Sequence, residues 1–481
     1  MTSISDVARE EAQRIDLGSL KAVGIERTIE GFYILGNYPP LTAMDDCCEE
    51  DLFAGNTQKE LDVYMHFQFC EQLCSFCHFS MDQSASSSED TKVTRYLSNL
   101  KREISMLNEK IGGVKARSIY VGGGTPSFMS AKQIEDLFSY VRREFTVPDD
   151  ITITFDVHPE IMKNPNQVEK FDALMESGVN RIAIGGVDLN DEVLKYQNRG
   201  HTARETVELI QALKLRGFPH VVTDLMMGVP YQTPENWERT IETLTGDICE
   251  VDSAMTFPLM FKASQSLWTR YQKRAEKFPS IEDRIVLQLV AMNKFAEAGY
   301  TSGPAYYFNR GQEHLNDQQL RKFESLDETC LLAIGVSSFG FINGHQYFNT
   351  SSITDYNKVV ESGRLPVWRS AKLTLRQNFE RDVMFGLKSR GIDKKVVEEK
   401  YGLHVDREYG QLIGQFEGVG LLKSTPDYLR LTRLGELFAE EVCNHFAGEE
   451  VRIKSERTAV FTDPKHPIQR YNYNMIGHRL R

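Results

Sequence analysis

Tyr64-Met-His66-Phe-Gln-Phe-Cys70-Glu-Gln-Leu-Cys74-Ser-Phe-Cys77-His78-Phe79 sets three cysteines, with three and then two residues between them, directly after a strand-like run from Leu61 to Phe69. Thiolates spaced this way on one short loop can converge on a single metal centre, as iron–sulfur clusters require. The run has no fourth cysteine, so a four-iron cubane held here keeps one iron without a protein ligand, open to a small molecule. An open iron implies chemistry at the cluster. A zinc ion with His78 as fourth ligand is the alternative, but structural zinc sites usually pair two short Cys or His clusters from separate places in a chain, and no second cluster exists here. The other cysteines are Cys47, Cys48, Cys249, Cys330 and Cys443, and none shows ligand spacing. The last three read as ordinary buried residues.

Outward from this loop, strand-like and helix-like segments alternate. Apolar, β-branched or aromatic runs occur at 63–69, 118–121, 151–156, 181–185, 221–226 and 253–260. Between them, 96–107, 134–145, 168–176, 205–215 and 237–244 carry apolar residues at three- and four-residue spacing. Such alternation predicts βαβ units around a parallel sheet. The fold class is therefore α/β: a partial (β/α)6 TIM-like barrel, whose site lies at the carboxyl ends of the strands.

Five regions follow. Residues 1–60 form an arm, in which Pro39-Pro40 excludes continuous helix or a central strand. Residues 61–300 form the barrel core, and 301–365 a glycine-rich connection bordering the site. Residues 366–448 read as a small helical domain with a β wing, whose surface is not basic and so favours a lid over the mouth rather than a DNA-binding role, and 449–481 as a polar, partly basic tail.

At 481 residues, with 41% hydrophobic and 26% charged, the chain has the composition of a soluble globular protein. Its net charge of −12 argues against nucleic acid or an anionic membrane as partner. The first twenty residues hold no apolar core of a secretory signal, and no run is long enough to span a bilayer. Reduced thiols fit a cytoplasmic location.

The unusual motifs sit at predicted strand ends: Gly122-Gly123-Gly124-Thr125-Pro126, Asp156-Val-His158-Pro159-Glu160, Gly185-Gly186-Val187-Asp188 and Asp224-Leu-Met-Met-Gly228-Val-Pro230. Successive glycines let backbone approach a ligand closely, with amides pointing outward. After Met260, Lys262, Trp268, Arg270, Tyr271, Lys273 and Arg274 make a basic, aromatic stretch, either attracting an anionic substrate or forming a solvated helix face.

The run from Tyr64 to Phe79 resembles the cluster loop of radical S-adenosylmethionine (SAM) enzymes. Its flanks are similar to the oxygen-independent coproporphyrinogen III dehydrogenase branch. The resemblance implies a [4Fe-4S] cluster on Cys70, Cys74 and Cys77, and one or two molecules of SAM. It assigns SAM contacts to Tyr64, Gly123, Gly124, Thr125, Asp156, Arg199 and Asp224, with Arg199 on the SAM carboxylate and Asp224 on the ribose. The chain departs from the family at Asp156, usually glutamate, and at Val187, usually glutamine; Asp188 or a shifted turn is expected to compensate there. Leu331 to Gly340 resembles the family's segment near a second SAM, although the stretch before it is shorter.

The resemblance implies reductive cleavage of SAM to a 5′-deoxyadenosyl radical, driven by an electron donor such as flavodoxin or ferredoxin and acting on a small-molecule substrate. The departures favour transfer of a SAM-derived methyl or methylene carbon to an organic substrate. Oxidative decarboxylation of coproporphyrinogen III, or another haem-processing reaction, is the alternative. A non-enzymatic haem chaperone is a third, which a haem-binding motif before Leu331 would mark; Cys330-Leu-Leu-Ala stands there instead.

Overall fold

The computed structural model describes residues 3–27, 37–46, 52–53, 55–77, 82–83, 91–260, 266–303, 306–311, 318, 330–389 and 391–451. All six expected strands form, in the order β1 (Glu60–Phe67), β2 (Lys115–Gly123), β3 (Thr152–Val157), β4 (Arg181–Val187), β5 (His220–Met227) and β6 (Ser253–Pro258). Each lies parallel beside the next, because a helix returns the chain between successive strands. These are α1 (Thr91–Ile111), α2 (Ala131–Glu144), α3 (Gln167–Glu176), α4 (Ala203–Leu215) and α5 (Pro234–Thr245), and α6 (Ile281–Glu297) follows β6. Reciprocal capping boxes start four of them, at Ser130 and Gln133, Thr202 and Glu205, Thr233 and Asn236, and Ser280 and Asp283. α1 buries Val93, Tyr96, Leu97, Leu100, Ile104, Leu107 and Ile111, one apolar stripe at helical spacing.

A seventh parallel strand was not anticipated. β7 (Leu331–Ile334) joins the free side of β1, with Leu331 opposite Asp62 and Ile334 opposite Met65. Antiparallel strands β8 (Phe339–Ile342), β9 (His345–Asn349) and β10 (Val367–Lys372) extend the sheet beyond it, and the arm adds Asp45–Asp46 against β10. β10 thus belongs to the sheet, which moves the start of the small domain from 366 to beyond Lys372.

One buried carboxylate ties this extension to the barrel. Glu103 of α1 accepts from Gly335 N at 2.8 Å, Asn349 Nδ2 at 2.9 Å and Tyr356 Oη at 2.6 Å. Burial pushes its pKa up to about 7 against these three donors. The turn it holds, starting at Gly335 (φ 97°), abuts His66: a Cβ there would lie 2.7 Å from the His66 carbonyl. The glycine-rich connection therefore reaches the carboxyl end of β1.

The small domain combines the helices Leu375–Ser389, Lys394–Tyr401 and Val405–Gly418 with a three-stranded antiparallel wing. It meets the sheet at more than one level: Lys388 lies over the Tyr306 ring, beside Thr256 of β6, and Arg381 reaches the amino end of β7. Arg381 stacks over Phe341, which pairs with the first residue of β7, and lines a small cavity with Asp62, Cys330 and Leu331. The arm packs against this domain through buried Tyr38, whose hydroxyl donates to Glu380 at 2.6 Å. Among the described residues, no helix is long and apolar enough to cross a membrane. Cys249, Cys330 and Cys443 are buried as expected; Cys47, Cys48, His78, Phe79, Lys262 and the tail beyond 451 lie outside the described residues.

Candidate active site at the carboxyl ends of the strands

β1 delivers the cysteine loop to the mouth of the barrel. Cys70 is 4% exposed, while Cys74 and Cys77 are half-buried. Two neighbouring turns grip this loop. From β2, Gly124 N donates to the Phe67 carbonyl at 2.6 Å and Thr125 N to that of Phe69 at 2.9 Å. A Cβ on Gly124 would lie 2.8 Å from Phe69 O, and one on Gly123, where φ is 116°, 2.8 Å from Phe67 O. The glycines are therefore required by the close approach of two backbones. The Gly124 and Thr125 amides, expected to point outward at a ligand, are taken by the cysteine loop. The Gly123 amide donates to Asp156.

The second grip comes from the turn before α4. Ser75 N donates to the Gln197 carbonyl at 3.0 Å, and Asn198 Nδ2 to the Leu73 carbonyl at 2.8 Å. Arg199 Nη1 donates to Cys74 Sγ at 3.2 Å, and Nη2 to the Gly185 carbonyl. Arg199, expected to meet a SAM carboxylate, has both terminal nitrogens engaged with protein; its buried Nε bonds to no group among the described residues.

The thiols sit in a donor-rich setting. Thr125 Oγ1 donates to Cys70 Sγ at 3.3 Å. Burial pushes the Cys70 thiol up to about 12, countered by Thr125 and the Arg199 charge. A thiol so placed becomes a thiolate only with a metal as its counter-charge. A tetrahedral zinc site draws its donors to about 2.3 Å from one point. Among the described residues, no three His, Cys, Asp or Glu side chains close into a single-ion cage. Three cysteines on one loop, two of them taking hydrogen bonds at sulfur, fit the wider corners of a cluster.

Behind the loop, a ladder of polar side chains is carried on β1, β2, β3 and β5. Tyr64 Oη lies 3.0 Å from His66 Nδ1, and burial pushes the tyrosine's pKa up and that of His66 down to about 4. Tyr120 Oη donates to Asp156 Oδ1 at 2.7 Å. Burial raises Asp156 to about 7, and the charge of Asp224 adds to the shift, so the structure brings these two expected carboxylates together.

At the end of β4 the register slips between Ile184 and Val187, and Val187 takes φ 67°. Asp188 then turns inward, accepting from Gln232 Nε2 and Thr240 Oγ1, each at 2.7 Å. It anchors the turn after β5, so its carboxylate is committed to protein. Nearby lie two histidines, His158 in the turn after β3 and His201 before α4. They pack edge to face with ring centroids 5.0 Å apart, and burial together with the Arg199 charge holds both neutral.

An aromatic and basic rim flanks the loop. Arg270 Nη1 donates to Ser75 Oγ, between Cys74 and Cys77, at 3.2 Å and to the Tyr196 carbonyl at 3.0 Å, with its guanidinium 5.3 Å from the Tyr196 ring centroid. Lys277 Nζ donates to Tyr231 Oη at 2.7 Å, and Tyr196 packs on Tyr231 and Phe278. Lys273 and Arg274 are exposed beside them. Composition alone left this stretch between a binding surface and a solvated face; the contact of Arg270 with Ser75 joins it to a loop 195 residues away in sequence.

Residues 64–244 match the model of the radical SAM superfamily, and 373–438 that of the HemN C-terminal domain. The chain is 25% identical to the heme chaperone HemW of Bacillus subtilis over 390 residues, covering 80% of this chain and 99% of that protein. It is also 25% identical to the oxygen-independent coproporphyrinogen III oxidase of Salmonella typhimurium over 429 residues, or 85% and 91% of the two chains. The solved structure of Escherichia coli HemN, a coproporphyrinogen III oxidase, superposes with a TM-score of 0.76 at 22% identity, over 90% of this chain and 98% of that one.

Proposed function

Because this chain belongs to the radical SAM superfamily, in its HemN-like branch, we propose that it is an enzyme abstracting hydrogen from an anionic substrate of the porphyrinogen type, ending in oxidative decarboxylation. The observation that carries the substrate class is the pair Arg270 and Lys277 against Tyr196 and Tyr231, with Arg270 bonded to Ser75 of the cysteine loop. A fork-shaped guanidinium and a flexible ammonium group suit carboxylates, and the edge-to-face rings of Tyr196, Tyr231 and Phe278 offer apolar surface to a flat pyrrolic skeleton.

Cys70, Cys74 and Cys77 would hold a [4Fe-4S] cluster. When bound, that cluster together with SAM supplies one-electron cleavage of SAM to methionine and a 5′-deoxyadenosyl radical. The protein's own contribution is placement and dryness. Thr125 and Arg199 donate to the cysteine sulfurs, and Gly123 and Gly124 hold the loop in position. Asp156 and Asp224 are assigned to the SAM ammonium and ribose, and Tyr64 closes the floor of that site. Burial raises Asp156 to about 7, and a bound ammonium would favour its carboxylate form. Flavodoxin or ferredoxin is the proposed reductant.

The test is an anaerobic reaction of the iron-loaded protein with dithionite, methyl-deuterated SAM and coproporphyrinogen III. 5′-Deoxyadenosine with carbon dioxide released from propionates supports the proposal. S-Adenosylhomocysteine and deuterium in the substrate would instead establish the carbon-transfer reading drawn from Asp156 and Val187. Tight haem binding without deoxyadenosine would establish the chaperone reading.

A further inference from the structure

The Gln197–Gly200 turn belongs to the βα unit of β4, yet it closes on the cysteine loop at three consecutive points: Leu73 through Asn198, Cys74 through Arg199 and Ser75 through Gln197. Asn198 adopts φ 57°, which reverses the chain so that Arg199 faces the loop. Arg199 N donates to the Leu194 carbonyl at 3.0 Å and Nη2 to that of Gly185, so the guanidinium is held from both ends. We infer that Arg199 is a positioning residue for the cluster itself, raising its reduction potential by placing a fixed positive charge against the Cys74 sulfur, with Thr125 acting more weakly at Cys70.

The physical basis is charge. Arginine does not lose its proton in proteins, and a hydrogen bond from a cation to an anionic acceptor is about twice as strong as a neutral one. Adding an electron to a thiolate-bound cluster increases negative charge on its sulfurs. A cation 3.2 Å from one of them therefore stabilises the reduced form more than the oxidised form. Hydrogen bonds to the sulfurs, net charge and exposure are the levers that set such potentials. The half-buried position of Arg199 limits screening by water. The Thr125 hydroxyl is neutral, so its effect at Cys70 has the same sign and a smaller size.

This inference rests on the cluster reading, and the experiment separates the two. Wild-type protein, Arg199→Gln, Arg199→Lys and Thr125→Val are loaded with iron and sulfide anaerobically. Iron per chain and four-iron absorbance are measured first, then the midpoint potential by EPR-monitored titration without SAM, then SAM affinity by equilibrium binding. Wild-type protein that holds no four-iron cluster overturns the cluster reading.

With the cluster present, Arg199→Gln is expected to lower the midpoint by a tenfold change in the reduced-to-oxidised preference, 59 mV for one electron. Arg199→Lys, which keeps the charge, shifts it less, and Thr125→Val shifts it slightly in the same direction. An unchanged midpoint together with weakened SAM binding overturns the inference and makes Arg199 a SAM ligand. Should Arg199→Gln lose its iron, Arg199→Lys and Thr125→Val decide, and wild-type potentials in both overturn it.

Discussion

Gly124→Ala adds one methyl group where two backbones meet. Its Cβ would lie 2.8 Å from Phe69 O, 2.9 Å from Gln68 C and 2.9 Å from Gln68 O. Favourable contact between such atoms begins near 3.5 Å. All three neighbours are main chain, so no side chain can swing aside, and the cysteine loop must move. Overpacking of this kind costs about 1–3 kcal/mol. The displacement also stretches the bonds from Gly124 N to Phe67 O and from Thr125 N to Phe69 O, each worth about 0.5–1.5 kcal/mol. Together the loop loses on the order of 2–4 kcal/mol of preference for its native position.

Because Cys70 follows immediately, the loss falls on metal loading before it falls on the fold. Every 1.4 kcal/mol is tenfold in affinity. The variant is therefore expected to bind iron at least tenfold more weakly in an anaerobic titration, with unchanged far-ultraviolet circular dichroism. Gly414→Ala, in an exposed helix with nothing within 4 Å of its Cβ, is the control and should match the wild type. Iron affinity in Gly124→Ala within twofold of the wild type would refute the claim that glycine is demanded here by backbone approach.

The pH dependence of stability offers another check through Glu103. Its folded pKa, about 7, lies above the ordinary 4.5, so folding favours the protonated acid; that contribution is fully present below about pH 4.5 and lost as pH rises through about 7. Glu103→Gln, which cannot titrate, should flatten the fall in denaturant midpoint between pH 5 and 7.5, and parallel curves for variant and wild type would count against the buried-acid assignment. Cys74→Ala should abolish four-iron absorbance on reconstitution, since two thiolates cannot hold the cubane; retained absorbance would remove Cys74 from the ligand set. Asp224→Ala should keep full iron content yet bind SAM at least tenfold more weakly in equilibrium dialysis, and unchanged SAM affinity would show that Asp224 does not touch it.

The cysteine loop, the six βα units and the placement of motifs at strand ends could all be read along the chain. Each is encoded within ten to twenty residues: a spacing of cysteines, a period of two or of 3.6, a glycine run after an apolar strand. Boundaries shifted by a few residues, as between 118–121 and Lys115–Gly123, because a ladder continues as long as its neighbour does.

Other features depended on partners far away in sequence. Leu331–Ile334 is a four-residue apolar run without periodicity, and it became a seventh parallel strand only because the side of β1 facing away from β2 was open to it. The helical and winged domain was recognisable as a unit, but its seat against the sheet is set by distant partners: Arg381 on Phe341, Lys388 on Tyr306 and Tyr38 on Glu380. Arg199 stood out along the chain as a cation beyond a strand end, but its contact with Cys74 Sγ at 3.2 Å joins two turns 125 residues apart. Local pattern specifies which backbone conformations are cheap and which faces are apolar. Which donor meets which sulfur is a matter of packing, and packing exists only once the chain has closed on itself.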